Sequence, residues 1–335
     1  MNREKENSII FGFWDKLPEY PKLLAPMADV TDLAFREMIA RYSRMGEEGG
    51  GPDVLYTEFV AADGLCSEGR EKLLPLLRYN PGHRPIVAQI FSKDPEKVRC
   101  AAELCLELGF DGVDLNMGCP ERNIVKQGAG SAMIKTPKLA QEIVFAAKEG
   151  VRGKIPVSVK TRIGWNTNQV EEWIPALLET DIPAIILHGR TRAEMSKVPA
   201  HWDIIARAAE IVHQSGKGTK LIGNGDVVSL EQAEEYQDRY GVDGVMIGRG
   251  VFGTPWLFDR EKRLAPKTIE ERLRILLEHT RLFVKHFPQK NFQIMKKHYK
   301  AYVNGFDGAK ELRIQLMDAD GVEEVEQIIE QFLSK

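Results

Sequence analysis

The sequence predicts an α/β fold, a (β/α)8 TIM barrel followed by a small C-terminal helical domain. Three observations predict it. Short apolar runs rich in β-branched residues alternate with longer stretches of helical spacing between Lys22 and about Phe258, and such alternation means parallel strands joined by crossover helices. There are eight such runs, and eight units in that span match the usual size of a barrel, about 250 residues. Each run also turns polar at its C-terminal end, and in a barrel these ends converge on one rim, where active sites are built. A doubly wound open sheet competes, but it wants a G-x-G-x-x-G turn after its first strand, where this chain reads APMADV.

The elements follow in order. KLLAPM from Lys22 leads to Met27 and Asp29, VLYTEF from Val54 carries Glu58, and PIVAQIF from Pro85 carries Gln89. GVDLNMG from Gly112 delivers Asn116 and, just beyond, Cys119. IPVSVKTRIG from Ile155 delivers Lys160 and Arg162, and AIILHGR from Ala184 delivers His188 and Arg190. KLIGNGD from Lys220 ends on Asn224 and Asp226, and GVMIGRG from Gly244 ends on Gly248 and Arg249. Between them, segments such as DPEKVRCAAELCLELG and SLEQAEEYQDRYG open on acidic residues and stop at glycine, as helices do. Cys100 and Cys105 read as core residues of one such helix. After the eighth run the strand pattern ceases. APK from Ala265 reads as a linker, and helices are expected over 268–287, 291–303 and 321–333, with a turn at NGFDG, 304–308. The expected division is an N-terminal extension 1–21, a barrel 22–262 and a helical domain 263–335.

Composition sets bounds. The chain has 335 residues, 43% of them hydrophobic and 28% charged, ordinary values for a soluble globular protein. No apolar run is long enough to cross a membrane, and the N-terminus mixes charges of both signs. The four cysteines lack C-x-x-C and zinc spacing, so the expectation is a reduced, cytoplasmic protein without a bound metal. A monomer is the default. The net charge of −3 excludes a surface that attracts nucleic acid everywhere, so RNA would need a local patch. One stretch qualifies: from Arg281 to Lys300 there are six basic residues and no acidic one. On a helix from Asn291, Met295, Tyr299 and Tyr302 face inward while Lys296, Lys297 and Lys300 point outward. A plain solvated face is the alternative.

Three groups of residues carry chemistry. Glycines in GNGD from Gly223 and GRG from Gly248 let backbone approach a ligand after the last two strands, where this fold binds phosphate, and Arg249 can add a bidentate contact. Tight turns are the alternative. Gln89, Asn116, Lys160 and His188 can hydrogen-bond the polar edge of a planar heterocycle. Lys160 at the end of an apolar strand needs an anionic partner, either a ligand or a structural pairing with Asp114 or Glu58. Cys119 has no adjacent histidine, and Glu121 disfavours a thiolate, so a neutral thiol that donates a proton suits it better than a nucleophile. Simple packing is the alternative.

The segment DLNMGCPERNIVKQGAGSAM resembles the signature of the tRNA-dihydrouridine synthase family. APMADVTDLAFR, VAQIF, SVKTRIGW, LHGRTR, IGNGD and GVMIGRG resemble that family's landmarks in the same order, from about Leu24 to Trp256, and the tail resembles its C-terminal domain. The resemblance implies an FMN enzyme that uses NADPH to reduce the C5=C6 bond of specific uridines in tRNA. It implies that Pro26, Met27 and Ala28 lie against the isoalloxazine ring and that Gln89, Asn116, Lys160 and His188 hold its polar edge. Asn224, Gly225 and Asp226, with Gly248 and Arg249, would hold ribityl and phosphate, while Arg162 and Arg190 would contact substrate or flavin. Cys119 would be the general acid: hydride delivered to C6 leaves an enolate that takes its proton at C5. The base must leave its stack, and a loop opened by Gly128 and Gly130 is expected to admit RNA and close again. Departures from the family pattern fall in SRMGEEGGGPD, AEMSKVPAHWD and HQSGKGTK, and bear on which uridine is chosen rather than on the flavin chemistry. Two alternatives stand beside this: an FMN barrel acting on a free pyrimidine, like dihydroorotate dehydrogenase, and a non-catalytic RNA-binding barrel.

Overall fold

A computed structural model of the chain describes residues 9–334. Eight parallel strands form the sheet: β1 (Lys22–Leu24), β2 (Leu55–Ala61), β3 (Ile86–Phe91), β4 (Gly112–Met117), β5 (Val157–Arg162), β6 (Ala184–His188), β7 (Lys220–Asn224) and β8 (Gly244–Ile247). They pair in the order β1-β8-β7-β6-β5-β4-β3-β2, so the sheet curls into a nearly closed barrel. At the seam β1 and β2 meet through the isolated bridge Leu23–Val54 in place of a ladder.

Alternation along the strands sends one set of side chains inward. Leu23, Tyr56, Val87, Ile186, Ile222 and Met246 form a buried cluster inside the ring, and Trp14 joins them. Trp14 sits on a 3-10 turn, Gly12–Lys16, whose neighbours Pro156 and Gly112 precede or open β5 and β4. The end of the N-terminal extension therefore plugs the barrel's lower mouth, opposite the rim that carries the polar residues.

Helices form the outer layer: α1 (Leu33–Tyr42), α2 (Ala62–Leu65), α3 (Arg70–Leu73), α4 (Pro95–Glu107), α5 (Arg122–Lys126), α6 (Pro137–Gly150), α7 (Val170–Leu178), α8 (Trp202–Gln214) and α9 (Leu230–Tyr240). Their starts are written in the sequence. Asp32 accepts from the N–H of Phe35 at 3.0 Å, Asp94 accepts from Glu96 at 2.9 Å ahead of Pro95, and Ser229 accepts from Gln232 at 3.1 Å. Gly241, at φ 63°, ends α9 in the left-handed conformation that glycine takes without strain.

The tail holds α10 (Ile269–His286), α11 (Lys296–Tyr302), α12 (Ala309–Asp318) and α13 (Val322–Leu333). The helix expected over 291–303 is a 3-10 turn, Phe292–Met295, running into α11. Helix α12 was not expected. It buries Ala309, Leu312 and Leu316 but leaves Ile314 and Met317 exposed, so its apolar residues lie all round and show no single stripe. Leu33, Ala34 and Met38 of α1 share one buried cluster with Leu276, Phe283 and Tyr299 of the tail, so the last helices pack on the barrel's first.

The reduced state expected of the cysteines is corrected in part. Cys66, at the end of α2, and Cys100 on α4 form a disulfide with Cα atoms 6.3 Å apart. Five residues along a helix turn the direction by roughly 140°, so Cys100 and Cys105 cannot share a face. Cys105 is buried in the core and Cys100 faces α2. No helix among the described residues is long and apolar enough to cross a membrane.

Candidate active site

The strand ends enclose a cavity of about 440 Å³ at the barrel rim. Neighbouring strands set its polar residues side by side: Asn116 is in register with Lys160, Arg162 with His188, and His188 with Asn224. Pro26, Met27, Gln89, Cys119, Gly225, Asp226, Gly248 and Arg249 also line it. Of the residues expected at the site, Ala28 lies outside the lining on the exposed side of the rim, Arg190 is buried behind it, and Lys296, Lys297 and Lys300 belong to α11.

Lys160 lines the cavity with no carboxylate paired to it. Its Nζ donates to Oδ1 of Asn224 at 2.9 Å, and the Asn224 amide donates in turn to the Met246 carbonyl at 2.8 Å. The two carboxylates expected as structural partners are engaged elsewhere. Asp114 accepts from Ser158 and from Gln89, both at 2.6 Å. Glu58 accepts from the N–H of Asp29 at 2.6 Å and pairs with Lys290 at 3.2 Å. Burial, with the Arg162 charge adding to it, lowers the Lys160 ammonium from 10.5 to about 8. Burial likewise raises Asp114 to about 6.

Cys119 follows β4 on a turn held by Asn116, whose Oδ1 accepts from the N–H of Gly118 at 3.1 Å and of Cys119 at 2.9 Å. The thiol is half-buried, and burial raises its pKa above the usual value, so it carries its proton at neutral pH. The segment expected to open at Gly128 and Gly130 is helical over much of its length. It contains α5 and a 3-10 turn, Gly130–Lys135, of which Gly130 to Ile134 are buried. A Cβ on Gly130 would lie 2.8 Å from Ile124 and 2.9 Å from the Cys119 carbonyl, so close packing beneath the thiol requires glycine here.

The arginines brace the rim. Arg162 donates to the Gly118 carbonyl at 2.7 Å and to the carbonyls of Thr191 and Met195 at 3.1 Å, tying the Cys119 turn to the loop after β6. Arg190 donates to Val198 O at 2.5 Å and pairs with Asp226, which also meets Arg249 at 3.0 Å. Because a guanidinium only donates, the 3.2 Å contact between Arg190 and Nε2 of His188 makes that nitrogen an acceptor and puts the ring proton on Nδ1. Burial, aided by Arg162 and Lys160, holds His188 well below its ordinary pKa and therefore neutral.

After the last two strands Gly225, Gly248 and Gly250 line the cavity, and local packing leaves no room for a side chain at Gly225 or Gly250. Gly225 has φ +137°, and a Cβ there would sit 2.6 Å from that of Ala200; one on Gly250 would sit 2.5 Å from the Val227 carbonyl. Phe59, Ser196 and Val228 line the cavity without having been singled out. Ser196 lies in the atypical AEMSKVPAHWD loop, which was its only signal. On the tail, Lys297 donates to the Asp29 carbonyl at 2.9 Å, Lys296 is half-buried and Lys300 is exposed. Among the described residues no group of three or more His, Cys, Asp and Glu could hold a metal ion.

The family model described as dihydrouridine synthase matches residues 23–335. A probable tRNA-dihydrouridine synthase of Staphylococcus aureus (strain MRSA252) is 38% identical over 325 residues, covering 96% of this chain and 95% of the relative. Probable tRNA-dihydrouridine synthase 2 of Bacillus subtilis (strain 168) is 38% identical over 327 residues, 97% of each. Among solved structures, a 2-naphthoyl-CoA reductase complex (72% of this chain covered) and histamine dehydrogenase from Rhizobium sp. 4-9 (79%) each superpose with a TM-score of 0.53 at 13% identity. This chain spans 49% of either, and the likeness is one of fold.

Proposed function

The chain belongs to the dihydrouridine synthase family, and on that premise we propose that it reduces the C5=C6 bond of specific uridines in tRNA, with FMN held at the barrel rim, NADPH as the reductant and Cys119 as the general acid. The observation that carries the reading is the pairing of two groups in one cavity: a thiol that keeps its proton and an ammonium with no carboxylate partner.

The residues present fit FMN. Lys160 offers a cation to the polar edge of a ring that gains negative charge on reduction. Pro26 and Met27 supply an apolar wall, and Gly225, Gly248 and Gly250 line the cavity with backbone alone where ribityl and phosphate would lie, with Arg249 beside them. When bound there, FMN would supply the hydride that goes to C6 of uracil.

This chain's own part is the proton. The S–H bond of Cys119 breaks as the C5–H bond forms, and the thiolate left behind is stabilised by the Arg162 and Lys160 charges. Solvent returns the proton for the next turnover. Neutral His188, with its proton on Nδ1, is a hydrogen-bond donor at the rim and not a competing acid. The tail, 263–335, is the proposed grip on the tRNA body. In the free-pyrimidine alternative the tail would serve only to pack on α1 and brace the barrel.

Cys119→Ala tests the assignment. The variant should keep its flavin and its reduction by NADPH but lose dihydrouridine formation by at least about 100-fold. Near-normal product from the variant overturns the role of Cys119. Mapping dihydrouridine in tRNA from cells with and without the gene identifies the positions, and an unchanged map overturns the function.

A further inference from the structure

We propose that Asp114 is the positioning residue for Cys119: it sets the direction of a chain of side-chain amides, Gln89 and then Asn116, that ends on the N–H of Cys119. The proposal rests on the reading of Cys119 as the proton donor.

Asp114 is fully buried on β4, one layer below the rim. Gln89 is its register partner on β3, and Asn116 lies two residues along the same face of β4. Oδ2 of Asp114 accepts from Nε2 of Gln89 at 2.6 Å. That commits the Gln89 oxygen to accept from Nδ2 of Asn116, at 3.1 Å. The Asn116 oxygen is left to accept from the N–H groups of Gly118, at 3.1 Å, and Cys119, at 2.9 Å. Both ends of the chain are chemically fixed, since a carboxylate accepts and a backbone N–H only donates. Two amides between such ends have one consistent orientation. If Gln89 turned over, Asn116 would present its NH2 to two backbone N–H groups, and the turn that carries Cys119 would lose its acceptor.

Proton transfer from a positioned acid fails when the donor is displaced by about an ångström, so this turn is where a small error costs most. Asp114 itself is held by Ser158 Oγ from β5 at 2.6 Å. The chain needs an acceptor at this position, and the charge is incidental to that need. An amide can do the same: its oxygen accepts from Gln89 while its NH2 donates to the Ser158 hydroxyl.

The test compares Asp114→Asn, Asp114→Leu and Gln89→Met in the flavin-loaded enzyme. Three readouts are taken: uridine reduction by pre-reduced enzyme, flavin reduction by NADPH, and the rate of Cys119 alkylation by iodoacetamide. Cys119 is the half-exposed free thiol, with Cys105 buried and Cys66 and Cys100 paired, so alkylation reports on it. Asp114→Asn should stay within about threefold of wild type in all three. Asp114→Leu should slow uridine reduction by at least about tenfold and change the alkylation rate by at least about threefold, with flavin reduction within about twofold. Gln89→Met breaks the chain with the buried carboxyl still present; read per bound flavin, because Gln89 also lines the cavity, it decides the matter if the leucine variant does not fold, and it should show the same loss of uridine reduction and the same change in alkylation. The proposal is overturned if Asp114→Asn is as impaired as Asp114→Leu, or if the leucine and methionine variants reduce uridine normally. A wild-type enzyme that forms no dihydrouridine overturns the function itself, and an active Cys119→Ala overturns only the acid.

Discussion

Replacing Lys160 with methionine should make the ligand-free protein more stable and the working enzyme poorer. The ammonium falls from 10.5 to about 8 on folding, and each unit is worth about 1.36 kcal/mol, so burying the charge costs about 3 kcal/mol at neutral pH. Methionine keeps the volume and removes the charge. It also removes the hydrogen bond to Asn224, worth about 1 kcal/mol, and the open cavity lets water soften the burial penalty. The net gain should be about 1–2 kcal/mol, a rise in melting temperature of about 1.5–3 °C for a chain of this size. The sign follows from linkage. A lysine whose folded pKa is lowered carries its full penalty below about 8, and the penalty is relieved as pH rises from there to 10.5. The advantage of the variant should therefore be greatest near neutrality and shrink through that window. Urea denaturation of flavin-free protein across this range measures it, beside flavin affinity and the rate of flavin reduction, both of which should fall. A variant that is less stable at neutral pH by 1 kcal/mol or more (about one hydrogen bond), and that retains and reduces its flavin normally, would make Lys160 a structural brace and refute the reasoning.

Two further outcomes are expected. Changing Lys296 and Lys300 together to glutamate, with Lys297 left on the Asp29 carbonyl, should raise the KM for tRNA more than about tenfold and flatten its salt dependence by a slope of about one per lost phosphate contact, with flavin content unchanged; unaltered binding would make the tail a structural cap. Gly225→Ala forces a side chain onto φ +137° and to within 2.6 Å of the Ala200 methyl, so calorimetry should show a loss of more than about 2 kcal/mol and the protein should purify with little flavin; an unchanged melting temperature would sink that estimate.

The barrel was legible because its strands combine apolar, β-branched bodies with polar residues at one end, a pattern that names both element and rim. Asn116, Lys160, His188 and Asn224 could be placed together from that pattern alone. What the sequence hid lies in pairings between distant residues. Arg190 looks like a free rim cation until Asp226, 36 residues on, is seen against it. Spacing also cannot show that Ile124 fills the space beside Gly130 and makes glycine a packing requirement there. The disulfide joins residues 34 apart on different helices, and no local spacing announces it. Helix α12 escaped because Ile314 and Met317 interrupt its amphipathic pattern.

At the seam where β1 and β2 share one bridge, other contacts act as fasteners. The N–H of Asp29, just past β1, bonds Glu58 on β2 at 2.6 Å, and Lys290 and Lys297 reach from the tail to the same two residues. Helix α10 lies over α1 beside them. Barrel and tail are thus not separable parts that can be assayed one at a time. A chain shortened at the linker would keep the Asp29–Glu58 bond but lose both lysine contacts from the tail, and less protected strand edges recruit other chains. Loss of activity in a tail-less protein would then report aggregation through the opened seam rather than the loss of an RNA grip, which is why charge reversal at Lys296 and Lys300, with the Lys297 contact kept, is the cleaner probe of what the tail binds.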